Sequence, residues 1–190
     1  MERLDELFEY GAAKSYGSQE ISMCAHMLRT AALAERDNAP DSLVAAALLH
    51  DIGHFFVDYA PGYEDARHAA MLDAGRDKRH EVAGASFLKA YFGPEITEPI
   101  RLHVSAKRYL SAIDPNYHNR LAATTRYTLM LQGGPMTAVE VAKYLRNPYG
   151  EASARLRRYD DESLSSQTPI QPFSYYRPLL VAEMTDSSSE

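Results

Sequence analysis

Apolar residues along this chain recur at the three- and four-residue spacing of amphipathic helices almost everywhere, and β-branched alternation over four or more residues is hard to find. That pattern predicts an all-α protein, a compact bundle of about seven helices with no sheet, whose apolar stripes close on one core. At 190 residues the chain fits one domain, spanning 1–185, with 186–190 as a disordered polar tail. A chain of this size buries about 70% of the surface it exposes when unfolded, so it needs neither disulfide nor structural metal. A metal in it would serve chemistry.

The first helix is expected over 3–13, with Leu4, Leu7 and Phe8 on one side, and breaks at Tyr16-Gly17-Ser18. Ser18 then caps a second helix that reaches Arg36 and carries His26 on a largely apolar surface. A third starts at Pro40-Asp41, and its run Val44-Ala-Ala-Ala-Leu-Leu49 delivers His50 and Asp51 before Gly53 ends it. The polar segment 58–78 is long for a compact domain and reads as a lid or an insertion. Further helices are expected over 79–92 and from Glu95 or Thr97 through His103 and Lys107, followed by a turn at Asp114-Pro115-Asn116. Another covers 120–132 and stops at Gly133-Gly134. Thr137-Ala-Val-Glu140 forms a capping box for the next, which Asn147-Pro148 closes. A last helix from Glu151 carries Arg155, Arg157, Arg158, Asp160 and Asp161, and 173–181 has enough apolar surface to dock back on the body.

Twenty basic against 26 acidic residues leave a net charge of −6, which argues against nucleic acid as a partner but allows a local basic pocket for a phosphate-bearing small molecule. The single cysteine, Cys24, cannot form an internal disulfide, and the acidic amino terminus does not read as a signal peptide, so a cytoplasmic location is expected. The apolar run Val44–Leu49 falls far short of the roughly 20 residues that span a bilayer, so no membrane segment is expected. No protein partner is evident.

The adjacent pair His50-Asp51 is the informative feature, because imidazole and carboxylate together hold a cation and a carboxylate can bridge two. Alone, such a pair is as readily a hydrogen-bonded helix end. His26, His80, His103 and Asp160 lie on other expected helices, and singly each is more often a satisfied core or surface residue. Taken with Ala47-Leu-Leu-His-Asp-Ile-Gly-His54, however, the set resembles the HD-domain superfamily, whose motif is a first His, a His-Asp pair and a distant Asp. The resemblance spans Tyr16 to Asp161, and the two extra histidines resemble its dinuclear members. It implies that His26, His50, Asp51 and Asp160 hold one metal, with Asp51 bridging to a second held by His80 and His103. Asp161 competes for the last place, and Asp160 is preferred for its spacing from Arg157. The implied cofactor is two iron ions in a mixed-valent Fe(II)/Fe(III) pair, without flavin or nicotinamide.

His54, Lys107, Thr125, Thr128 and Arg157 together suit a phosphonate pocket, since imidazole, ammonium, guanidinium and two hydroxyls can hold a dianionic tetrahedral group. Singly, each of the basic residues is as readily a solvated helix residue. With Leu131-Gln-Gly-Gly-Pro-Met136 and Arg157-Arg-Tyr-Asp160, the chain resembles the small HD-domain mixed-valent diiron oxygenases of phosphonate catabolism. These oxidise a 1-hydroxyphosphonate with dioxygen and cleave its carbon–phosphorus bond, so the implied partners are a small phosphonate and O2. The resemblance gives His54, Lys107, Arg157 and Tyr16 catalytic roles, and adds Thr125, Thr128 and Gln19 as substrate-binding residues. Where the glycine-forming members carry Tyr-x-x-Glu, this chain has Tyr16 and Gln19, with Glu20 shifted by one. A neutral Gln removes the counter-charge a primary ammonium wants, whereas a trimethylammonium is served by aromatic faces, here Tyr16, Tyr175 or Tyr176. The expected substrate is therefore (R)-1-hydroxy-2-(trimethylamino)ethylphosphonate, giving glycine betaine and phosphate, ahead of 2-amino-1-hydroxyethylphosphonate, giving glycine. A metal-dependent phosphohydrolase, which needs only His26, His50, Asp51 and Asp160, and a catalytically silent HD-type signalling domain are the rivals. His68 and His118 match nothing and read as surface residues.

Overall fold

The computed structural model describes residues 1–12, 21–55 and 79–185. Ten α-helices make up most of them: α1 (Glu2–Ala12), α2 (Met23–Arg36), α3 (Asp41–Leu49), α4 (His80–Leu88), α5 (Pro94–Ile113), α6 (Pro115–Arg120), α7 (Ala123–Leu131), α8 (Ala138–Tyr144), α9 (Gly150–Ser163) and α10 (Phe173–Glu183). A 3-10 turn, Ile52–Phe55, follows α3. Among the described residues there is no strand, and Phe92 and Met184 form an isolated antiparallel bridge, so the all-α reading holds. None of the described helices is long and apolar enough to cross a membrane. Tyr16, Gln19, His68, the segment 58–78 and the tail 186–190 lie outside the described residues.

The helices exceed the expected seven partly because Asp114-Pro115-Asn116 is not a plain turn. Asp114 accepts a hydrogen bond from the Asn116 N–H, and Pro115 occupies the first helical position, where its missing N–H costs nothing, so α6 starts there. The 173–181 stretch is likewise a helix, docked by Tyr176 and Leu180 and by the stacking of Phe173 on Phe8 at 4.0 Å. Ser22, not Ser18, caps α2, its hydroxyl oxygen accepting from Ala25 N at 3.1 Å. The end of α7 and the capping box of α8 form as the sequence predicts: Gly133 and Gly134 take φ of 99° and 70°, and Thr137 and Glu140 exchange bonds.

Helix α3 is buried on every side from Leu43 to Leu49, which its all-round apolar sequence requires, and it packs against α2, α5, α9 and α10. Helix α5 is the other hub and touches α3, α4, α6, α8 and α9. The main core gathers α1, α2, α3, α4, the first half of α5, α9 and α10. A smaller cluster of Leu110, Tyr117, Leu121 and Leu129 closes the far end of α5. His103 and Lys107 fall between Ile100 of the first cluster and Leu110 of the second, so polar groups on this helix are buried where two apolar blocks meet. The lone Cys24 donates to the Phe8 carbonyl, and burial pushes its thiol up to about 12, so it is an inert core residue.

Gly53 has a different job from the helix stop expected of it. A Cβ built there would lie 1.9 Å from the His80 carbonyl oxygen and 2.7 Å from Gly84 N, so the missing side chain lets the 3-10 turn lie directly on the start of α4. Gly53→Ala therefore forces two backbones apart, and denaturant unfolding should show a loss of about 3 kcal/mol. Thr137→Ala should cost about 1 kcal/mol by removing the cap. Glu140 is held down to about 2 by the Thr137 N–H first and by Arg108 next. Its bonds thus stabilise the fold above its ordinary value of 4.5 and lose effect as pH falls through about 2. Urea midpoints of wild type and Glu140→Gln should differ at neutral pH and converge below about 2.

Candidate metal centre

Five stretches bring side chains to one point. His26 comes from the first turn of α2, His50 and Asp51 follow α3 directly, His80 opens α4, His103 lies midway along α5, and Asp160 lies in the last turn of α9. All are buried except His80, which is slightly accessible. The two Asp51 oxygens face opposite ways. Oδ2 lies 3.5 Å from Nε2 of both His26 and His50, whereas Oδ1 lies 3.3 Å from His80 Nε2 and 3.8 Å from His103 Nε2. Asp160 Oδ1 joins the first group, 3.3 Å from His26 Nε2 and 3.7 Å from His50 Nε2. The ligand atoms of His26, His50 and Asp51 all lie within 4.8 Å of one another, as do those of Asp51, His80 and His103, close enough for each set to hold an ion.

The outer ring nitrogens explain why a cation fits. His50 Nδ1 donates to the Ala47 carbonyl at 2.9 Å and His103 Nδ1 donates to the Ile100 carbonyl at 2.7 Å. His26 Nδ1 lies 2.8 Å from Ser163 Oγ. These partners leave the Nε2 lone pairs pointing inward, and the inward atoms come close together: His26 and His50 at 3.2 Å, His80 and His103 at 3.1 Å. Two lone pairs facing at such distances repel unless a proton or a metal ion lies between them. Asp51 Oδ2 adds to the demand, being buried without a hydrogen bond. An all-imidazole and carboxylate donor set of this kind suits non-heme iron.

The titration of the groups points the same way. Burial alone would raise the Asp51 carboxyl, yet the imidazoles of His50, His54, His26 and His80 hold it well below the usual carboxylate range. Burial likewise opposes the charge on Asp160, but Arg157 and the histidines outweigh it, so both carboxylates are anionic. Their field overcomes burial at His50 and lifts it to about 9, so positive charge is drawn to the very place where a metal would displace that proton. In the other half, burial and then the neighbouring His80 drive His54 down to about 3 and His103 well below its ordinary value. Neutral imidazole is the form that binds metal.

Asp161 competes with Asp160 in sequence, but its carboxylate faces away from the histidines. It pairs with Arg157 through both oxygens and accepts the Tyr117 hydroxyl at 2.5 Å. Arg157 also holds Asp160 Oδ2 at 2.8 Å, which leaves Oδ1 turned inward. Among the expected substrate-binding residues, His54 stacks on His80 with ring centroids 4.0 Å apart and lies 3.8 Å from Asp51 Oδ1. Lys107, one turn beyond His103, is buried and donates to Thr128 Oγ1 at 3.0 Å, which donates to the Thr125 carbonyl. Tyr175 and Tyr176 are not brought to the centre. Tyr176 is a core residue whose hydroxyl binds Glu35, about 13 Å along α2 from His26, and Tyr175 is exposed at the surface. His118 is half-buried rather than a plain surface residue. Ser163 and Tyr117 escape a sequence reading, since a Ser at the end of a helix and a Tyr after Pro-Asn carry no ligand-like signal.

The model of the HD domain family matches residues 23–149, taking in five of the converging side chains and stopping short of Asp160. Over 98% of its length the chain is 34% identical to a [1-hydroxy-2-(trimethylamino)ethyl]phosphonate dioxygenase (glycine-betaine-forming) of Leisingera caerulea, 90% of which is covered. It is 38% identical over 84% of its length to a hydroxymethylphosphonate dioxygenase of Gimesia maris, 77% of which is covered. An uncharacterized protein of Acanthamoeba polyphaga mimivirus is 30% identical over 96% of this chain and 81% of its own length. The chain belongs to the HD-domain family, and two of the relatives it matches are phosphonate dioxygenases.

Proposed function

We propose that this chain is a diiron oxygenase that cleaves the carbon–phosphorus bond of a 1-hydroxyphosphonate with dioxygen, and that (R)-1-hydroxy-2-(trimethylamino)ethylphosphonate is its preferred substrate. The observation that carries the reading is Asp51, whose two oxygens are shared between two separate sets of imidazoles. His26, His50, Asp51 and Asp160 would hold one iron, and Asp51, His80 and His103 would hold the other. When bound, the iron pair supplies the redox chemistry that dioxygen requires. The balance needs no external reductant: the hydroxyphosphonate and O2 give a carboxylate, phosphate and a proton, and the four electrons come from C1 and its bond to phosphorus.

The protein's own part is positioning and charge. Lys107 is buried in an acidic protein and held at Thr128. Its ammonium balances the phosphonate dianion and the leaving phosphate, and His54 adds the contact of a neutral imidazole. Arg157, its guanidinium taken up by Asp160 and Asp161, acts through Asp160, whose outer oxygen it holds. The resemblance adds Thr125 and Thr128 as hydroxyl contacts, and assigns the substrate's amine end to Tyr16 and Gln19, which lie outside the described residues. The 34% identity to the glycine-betaine-forming enzyme over nearly the whole chain supports the trimethylamino substrate. The 38% identity to the hydroxymethylphosphonate enzyme makes that smaller compound the second reading.

Oxygen uptake and phosphate release should be measured with the trimethylamino, 2-amino and unsubstituted hydroxyphosphonates side by side. The expected result is one O2 and one phosphate per turnover, fastest with the trimethylamino compound. Consumption of none of the three would remove the oxygenase reading. His80→Ala should lose at least about 100-fold in oxygen uptake, since a ligand matters more than the outer partners worth 10–100-fold. Phosphatase activity that survives this substitution would favour a phosphohydrolase instead.

A further inference from the structure

We propose that Ser163 is a positioning residue for the His26 metal position: its hydroxyl fixes the His26 imidazole with Nε2 turned toward the carboxylates, and ties that ring to the segment carrying Asp160. The proposal rests on the metal centre argued above and adds a residue to it. Ser163 is the last residue of α9 and is fully buried. Its Oγ lies 2.7 Å from the Asp160 carbonyl oxygen and 2.8 Å from His26 Nδ1. A hydroxyl has one proton and a carbonyl can only accept, so the proton goes to Asp160 O. The Oγ lone pair must then accept from a protonated His26 Nδ1. The reverse arrangement would leave two oxygens facing at 2.7 Å with no proton between them.

His26 differs in this from its neighbours. His50 and His103 each donate to a carbonyl three residues earlier on their own chain segment, so local backbone orients them. His26 instead reaches a residue 137 positions away. Helix α2 holds Ser163 at a second point, where Arg29 Nη1 donates to its carbonyl at 3.2 Å. His26 is thus correctly turned only when the end of α9 is seated, which is also when Asp160 is in place. Two ligands from opposite ends of the chain are set by one hydroxyl.

Cobalt(II) serves as the probe, titrated into the full chain and followed by its d–d absorption. Wild type should take up two equivalents. Ser163→Ala should keep one at wild-type affinity and bind the other 10–100-fold more weakly, the usual loss when an outer partner of a ligating His is removed. Proton NMR of the cobalt-loaded protein should show one slowly exchanging ring N–H signal fewer in Ser163→Ala than in wild type. Wild-type affinity for both equivalents in the variant would overturn the proposal. So would a His26 ring N–H in wild type that exchanges as fast as an exposed imidazole, a measurement that decides the matter even where the variant fails to fold. Uptake of fewer than two equivalents by wild type would instead sink the metal centre itself, and this proposal with it.

Discussion

A single carboxylate shared between two sets of imidazoles is the constraint on which the rest of the structure depends. Asp51 is buried, and an anion in such a place is costly unless positive charge surrounds it. Five histidines within 3.8 Å of its oxygens, from α2, the end of α3, the 3-10 turn, α4 and α5, meet that need with the cations they would hold, and only when these segments pack together. The apolar core and the polar centre are therefore one problem. Helix α3 is buried on all sides to deliver His50 and Asp51 from the protein's interior, and the Gly53 contact then sets the 3-10 turn against the first residue of α4.

Charge is arranged around this carboxylate in layers. Asp160 turns one oxygen inward and the other to Arg157, Arg157 turns its remaining edge to Asp161, and Asp161 takes the Tyr117 hydroxyl. Each group satisfies the next, so a buried guanidinium sits between two carboxylates and no charge in the row is left alone. The outer members hold the inner ones still, and it is the inner oxygen that matters for chemistry.

Much of this was legible in the residues. The helical period and the absence of strand patterning follow from apolar spacing, which tertiary packing here reinforces. The His50-Asp51 pair at the end of an apolar run was readable because burial and ligation meet in one short stretch. Local backbone chemistry was harder. Ser18 and Ser22 are equal as cap residues in sequence, and the role of Gly53 depends on which backbone lies opposite, a fact no local pattern encodes. Tyr175 and Tyr176 failed for the same reason: aromatic composition says nothing of direction, and Tyr176 spends its hydroxyl on Glu35. Asp160 and Asp161 differ by one position, a rotation of about 100° on α9, which only the placement of that helix against α2 and α5 can resolve.

Helix α5 carries His103 and Lys107 one turn apart on the same buried side, while Thr128, the partner of Lys107, rides on the less enclosed α7. Any substitution that rolls or shifts α5 must disturb both of its polar groups at once, so divergence along that helix is strongly penalised. A change on α7 reaches the buried ammonium through one hydroxyl, leaving the helix that carries the imidazole where it is.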